Sequence, residues 1–231
     1  MMKKNAVIDL SQKIYNQKEV NFPFKLDLKD AVESMAGLMY SEDTWYKIGY
    51  VNMCTHNGTH VEVPRHHQKD GADLVQVPLG QLIGNLVILD FTDKTIDGCI
   101  TKEDLMKYDS LIHEGDIVII KTHMDQLFRT EKWDKYPYVT VDGIKYLVSK
   151  KIGCLGTDSA GIEDENAKDQ PSHVTLFNGG IPLVESATNL DEIENGKYIA
   201  IILPLPIVDG DASPIRMIAI NKEALKELLE S

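Results

Sequence analysis

His56-Asn57-Gly58-Thr59-His60-Val61-Glu62-Val63-Pro64-Arg65-His66 is the stretch that organises the reading of this 231-residue chain. His56 and His60 are four apart, the spacing that would align them on one helix face, but Asn57-Gly58 is a turn signal. Val61-Glu62-Val63 instead alternates with the period of a strand, which sends His60 and Glu62 to one face and Val61 and Val63 to the other. Pro64 cannot donate to a ladder, so the strand ends there and the chain can bend His66 back toward the same pocket. The turn at Gly58 can do the same for His56. Four of the seven histidines fall between positions 56 and 67. Imidazoles and a carboxylate converging on one point suit zinc or manganese. The alternative, a solvated histidine-rich loop, has no use for valines and a proline interleaved among the polar groups. His67, adjacent to His66, is expected to point away from it, as support or surface.

Outward from this segment the chain reads as short strands with a few helices. Strands are expected over Ala6–Leu10, Ile48–Cys54 and Thr59–Val63, with a turn at Asn57-Gly58 between the last two. Asn85–Phe91 and Asp116–Lys121 are nearly continuous apolar runs, as in strands covered on both faces. Further strands are expected over Ile152–Thr157, Ile181–Glu185, Lys197–Leu203 and Ile215–Ile220. Ala31, Val32, Met35, Leu38 and Met39 have helical spacing, which predicts a helix over Leu28–Tyr40 with Asp27 as a cap. Helices are also expected over Thr101–Tyr108, Val141–Lys150 and, capped by Asn221, Ala224–Leu229. This pattern predicts an α/β fold with a mixed sheet. Without repeats or linker-like tracts, residues 1–231 are expected to form a single domain.

Composition narrows the function. A formal net charge of −12 repels phosphate backbones and anionic lipid, so the expected partner is a small-molecule substrate, with no nucleic acid and no membrane. The apolar start at Ala6–Leu10 is interrupted by Asp9, too soon for a signal peptide, and no stretch is long enough to span a bilayer, which points to a cytoplasmic protein. Cys54, Cys99 and Cys154 are odd in number and widely spaced, so they read as free thiols, neither disulfide framework nor zinc ribbon. Asp209-Gly210-Asp211 resembles the start of a calcium loop but lacks its remaining ligands, and is read as a turn between strands. His113 is expected on the surface. His123 is expected in the core or at a pocket rim.

The histidine segment resembles the His-x-Gly-Thr-His-x-Asp-x-Pro-x-His signature of the metal-dependent cyclase-like hydrolases. The likeness continues through Gly84-Asn85-Leu86-Val87, Asp116-Ile117-Val118-Ile119, Gly156-Thr157-Asp158-Ser159, His173-x3-Phe177 and Ile181–Glu185, then Leu203-Pro204-Leu205 and Asp209–Arg216. The resemblance implies a swivelling β/β/α domain assembled as a homodimer or homotetramer. It implies one or two divalent ions, zinc or manganese, held by His56, His60, Glu62, His173 and Glu185, with His66 as general acid/base. Two departures stand out. Position 62 is Glu where the family has Asp, one methylene longer. The N-terminal third carries Asn21-Phe22-Pro23-Phe24 where relatives have a Trp-Pro-Gly-type loop that shapes the substrate pocket.

The chemistry so implied is hydrolysis of a non-peptide carbon–nitrogen bond, arylformamidase-like, with N-formylkynurenine as the candidate substrate. A divalent ion acidifies water and polarises a carbonyl. An imidazole, with an ordinary pKa near 6.5, suits proton transfer to and from the reacting groups. Hydrolysis of another lactam or ester, metal-dependent cyclisation or elimination, and metal or ligand binding without turnover are the alternatives.

Overall fold

The computed structural model describes residues 6–16, 22–35, 37, 39, 41 and 44–230. In chain order its elements are β1 (Val7–Asp9), β2 (Phe24–Asp30), α1 (Ala31–Ser34), β3 (Lys47–Met53), β4 (His60–Glu62), β5 (Ile83–Asp90), β6 (Cys99–Ile100), α2 (Lys102–Met106) and β7 (Ile117–Lys121). There follow β8 (Tyr138–Val139), α3 (Val141–Ser149), β9 (Cys154–Thr157), α4 (Pro171–Asn178), β10 (Leu183–Glu185), β11 (Tyr198–Ile201), β12 (Ala212–Pro214), β13 (Ile218–Asn221) and α5 (Lys222–Leu229). Nine strands form one mixed sheet in the order β1-β13-β11-β5-β7-β9-β10-β4-β12. The central β5, β7, β9 and β10 run parallel, and antiparallel pairs flank them on both sides. This is the mixed α/β sheet expected of the swivelling β/β/α fold.

The apolar runs divide by parity between two cores. Leu86, Ile88, Ile117 and Ile119 pack in one buried cluster together with Val61, Val63 and Val184. Val87, Leu89, Val118 and Ile120 pack in the other, under Leu105, Ile144, Leu147, Leu176 and Phe177 from α2, α3 and α4. Both faces of the central strands are therefore covered, which is why their sequences carry no polar alternation. Thr101 caps α2 through a reciprocal capping box with Asp104, and Asn221 caps α5 by accepting from the N–H groups of Glu223 and Ala224.

Two local features differ from the sequence reading. Leu28–Asp30 belong to β2, not to a helix, and the helix is confined to Ala31–Ser34. Phe24, Leu26 and Leu28 already alternate, and all seven residues of β2 pair with β3, so ladder bonds win over a weak helical periodicity. Leu38 and Tyr40, the end of the expected helix, lie outside the described residues. The two strands expected either side of the Asn57-Gly58 turn are present and belong to different sheets: β3 joins β2 in a separate ribbon, whereas β4 sits between β10 and β12. Helix α4 was not expected from sequence; Pro171 opens it at a position where its missing N–H costs nothing.

The β2–β3 ribbon exposes Leu28, Tyr50 and Val51, with Val32, Trp45 and Tyr46 beside it. Cys154 is buried and Cys54 and Cys99 are partly so, all as free thiols. Among the described residues no helix is long and apolar enough to cross a membrane.

Candidate metal centre

Strand β4 carries the centre because its two faces do different work. Val61 and Val63 are fully buried in the first core, and Val61 lies opposite Val184 of β10. Antiparallel pairing sets His60 opposite Glu185 and Glu62 opposite Leu183, so these side chains share the other face. Helix α4 packs over that face. His173, Leu176 and Phe177 fall on one helical stripe, so the packing that buries the two apolar residues also delivers His173.

The turn before β4 brings in His56. Gly58 has φ +66°, and a Cβ there would lie 2.9 Å from Ile14 Cγ1, so the position accepts only glycine comfortably. Thr59 fixes the turn from behind: its hydroxyl donates to the Ser186 carbonyl at 2.6 Å and accepts from the Gln12 N–H at 2.8 Å. After β4, Pro64–His66 form a single 3₁₀ turn that swings His66 back toward Glu62.

The six expected residues meet. His56 Nδ1 lies 2.7 Å from Glu62 Oε1, and His60 Nε2 lies 3.6 Å from that oxygen and 3.5 Å from Glu185 Oε2. His173 Nε2 lies 3.4 Å from Glu185 Oε1 and 3.8 Å from Glu62 Oε2. His66 Nε2 faces Glu62 Oε1 at 3.7 Å. His60, Glu62, His173 and Glu185 are all buried.

Each inward-facing imidazole nitrogen is defined by what holds the other one. His60 Nδ1 meets the Gly58 carbonyl at 2.9 Å; a carbonyl only accepts, so Nδ1 carries the proton and Nε2 is left toward the carboxylates. His173 Nδ1 meets Glu163 Oε2 at 2.9 Å, and Glu163 is itself held by the N–H groups of Ser172 and His173 at the start of α4. His56 Nε2 meets Asp211 Oδ2 at 2.9 Å. Neither Glu163 nor Asp211 was picked out from the sequence. Glu163 carries no spacing signal, and Asp211 reads as part of a turn.

The donors fit a divalent cation. Glu62 Oε2 is buried with no hydrogen-bond partner among the described residues, a vacancy in bonding that a cation would fill. Three groups of three ligand atoms, His56–His60–Glu62, Glu62–His173–Glu185 and His56–His66–Asp211, each lie within 4.8 Å of one another. Without a cation the carboxylates must be balanced by protons. Burial alone would lower the His60 pKa, but hydrogen bonds and charge from Glu185 and Glu62 push it up to about 10. Burial is likewise outweighed at His173, where Glu163 and Glu185 push it up to about 10. Burial opposes the charge on Glu62, yet His56 and His60 hold its pKa well below the ordinary carboxylate value.

The centre opens into a cleft of about 510 Å³ walled by Phe22, Phe128, Trp133 and Tyr136, with Arg129 on the same wall. Gly161 lets Tyr136 lie close: a Cβ there would press on the phenol oxygen and stand 2.9 Å from its Cζ. Burial, then the nearby Glu185 and Glu163, raise the Tyr136 pKa, so the phenol keeps its proton. Two histidines sit differently from expectation. His67 does not point away: its ring stands edge-on 4.6 Å from His66 and stacks on His173 at 5.3 Å, because side chains in a 3₁₀ turn do not alternate as in a strand. His123 is neither core nor rim. It closes β7 with φ +61° and faces solvent against Asp191, 3.1 Å away. His113 is on the surface, as expected.

Residues 8–164, more than half of the chain, match the family model "Putative cyclase". The chain belongs to the cyclase family. Kynurenine formamidase of Bacillus cytotoxicus is 26% identical over 221 residues, 94% of this chain and 98% of that one. An isatin hydrolase bound to the product analogue thioisatinate superposes with a TM-score of 0.80 at 22% identity, covering 94% of this chain and 92% of the other, a likeness of fold. A structure described as a potential metal-dependent hydrolase with cyclase activity gives 0.74 at 29% identity, covering 96% of this chain and 99% of the other.

Proposed function

We propose that this cyclase-family chain is a single-domain, metal-dependent hydrolase of non-peptide carbon–nitrogen bonds, arylformamidase-like, with N-formylkynurenine as its candidate substrate. The observation that carries the proposal is the buried His56–His60–Glu62–His173–Glu185 cluster at the base of an aromatic-walled cleft. The kynurenine formamidase relative supports the same chemistry and the aryl amide substrate class.

In this reading His56, His60, Glu62, His173 and Glu185 hold one or two divalent ions, zinc or manganese. Two ligand groups sharing Glu62 favour two, since its oxygens face different halves of the cluster. When bound, such an ion supplies Lewis-acid polarisation of a carbonyl and acidification of water. His66 accepts the proton of the attacking water at Nε2 and returns it to the leaving nitrogen. Phe22, Phe128 and Trp133 seat an aryl group and keep bulk water from the reacting atoms. The protonated Tyr136 phenol can donate a hydrogen bond to a developing oxyanion.

The protein is proposed to act in the cytoplasm as a homodimer or homotetramer. Apolar side chains on the β2–β3 ribbon, Leu28, Tyr50 and Val51 among them, are the surface a second copy would cover. Hydrolysis of N-formylkynurenine, isatin and simple formanilides, followed by ultraviolet absorbance with added zinc or manganese, tests the activity. Metal-dependent turnover lost in His66→Ala is expected, and no hydrolysis of any of them by the metal-loaded protein refutes it. Cyclisation or elimination is the second reading, favoured by the description of the 29% identical structure, and hydroxy and keto acids in the same panel address it.

A further inference from the structure

We propose that Asp211 is a positioning residue shared by a metal ligand and the acid/base, fixing which nitrogen of His56 and of His66 faces the pocket. The proposal rests on the hydrolase reading above for the roles of the two histidines, and on geometry for the coupling between them. One oxygen, Oδ2, lies 2.9 Å from His56 Nε2 and 3.3 Å from His66 Nδ1. The other, Oδ1, accepts from the Thr55 hydroxyl at 3.3 Å. The two rings are neighbours, with centroids 4.4 Å apart.

An ionised carboxylate only accepts, and each of its oxygens offers two lone pairs. Both nitrogens facing Oδ2 must therefore carry hydrogen. When a bound cation balances the Glu62 carboxylate, which otherwise calls for hydrogen on His56 Nδ1 2.7 Å away, neutral His56 presents the lone pair of Nδ1 toward the cluster and neutral His66 presents that of Nε2. A single carboxylate thus prepares one ring to bind a cation and the other to accept a proton. If either ring turned over, it would put a lone pair against Oδ2 and an N–H toward the pocket, losing its function.

The backbone is built to hold this carboxylate in place. The Asp211 carbonyl accepts from the Val63 N–H at 3.1 Å, tying it to the end of β4. Asp209 takes a left-handed φ of +58° and donates its N–H to Asp73 Oδ2 at 2.8 Å. Gly210 leaves no room for a side chain, since a Cβ would come within 2.7 Å of Leu74 Cδ1. Asp211 sits one residue before β12, so strand alternation does not govern where it points. An ordinary surface ion pair would need none of this scaffolding.

The test compares wild-type protein with Asp211→Ala and Asp211→Glu. Alanine removes the one oxygen to which both imidazoles donate. Zinc affinity by chelator competition is expected to fall about 10–100-fold in Asp211→Ala. At saturating metal kcat is expected to fall by at least about tenfold with KM within about twofold. Asp211→Glu, which keeps the acceptor-only carboxylate, is expected to recover part of both. Nitrogen-15 NMR of histidine-labelled, zinc-loaded wild-type protein needs no variant and should show His66 protonated at Nδ1. Loss of only one property, loss of melting temperature alone, or His66 protonated at Nε2 overturns the shared role. Zinc-loaded wild-type protein without hydrolysis would instead sink the hydrolase reading, and the NMR tautomer would still decide the Asp211 geometry.

Discussion

Stripping the metal and raising the pH should destabilise this protein in a way that metal-loaded protein does not share. In the metal-free state His60 and His173, raised from an ordinary 6.5 to about 10 by the buried glutamates, stand in as imidazolium cations. A group whose folded pKa is raised contributes its full stability below the unfolded pKa and loses it as pH climbs through the folded one. Here that window runs from 6.5 to about 10. Integrating the linkage relation between pH 6.5 and 9 gives a loss of about 3 kcal/mol for each histidine. At roughly 2–4 °C per kcal/mol for a chain of this size, one histidine alone lowers Tm by about 6–12 °C. Glu62 is ionised throughout this range and adds no slope. Thermal unfolding by circular dichroism of chelator-treated protein at pH 6.5 and 9 measures the effect. His60→Asn with His173→Asn should flatten it, and zinc-loaded protein should hold its Tm, because a cation requires the neutral imidazoles. A metal-free Tm that stays level or rises from pH 6.5 to 9 would refute the reasoning.

Three further substitutions separate the parts of the site. Gly161→Ala pushes a methyl against Tyr136; kcat/KM should fall by about tenfold or more, with metal content unchanged by elemental analysis. Glu163→Gln removes the acceptor-only partner of His173 Nδ1; zinc affinity should weaken about 10–100-fold, read by chelator competition. Thr59→Val strands the Gln12 N–H and deletes the donor to Ser186 inside the core; urea unfolding should show a loss of about 1–3 kcal/mol.

What the sequence made legible was what local physics dictates. Val61 and Val63 against His60 and Glu62 is a two-residue period, and the sheet obeys it. The apolar runs of β5 and β7 announced strands covered on both faces, and their side chains do divide between two cores. Family resemblance, not spacing, nominated His173 and Glu185, because their approach to β4 depends on long-range packing of α4 and on strand register. Periodicity failed at Leu28–Asp30, where the start of the expected helix belongs instead to a seven-residue ladder to β3, a partner that lies beyond any local window. Asp211 and Glu163 were invisible for the same reason. Each is an ordinary loop carboxylate until the fold sets it against the outer nitrogen of a histidine, 155 residues distant along the chain for Asp211 and ten for Glu163.

The central claim is that this cluster holds a divalent metal, and metal content per chain measures it most directly. Protein purified without a polyhistidine tag or chelator should carry one or two equivalents of zinc or manganese by elemental analysis. Replacement of His60 or Glu62 by alanine should remove them. No metal in the wild-type protein, with none taken up at micromolar zinc or manganese, would contradict the account.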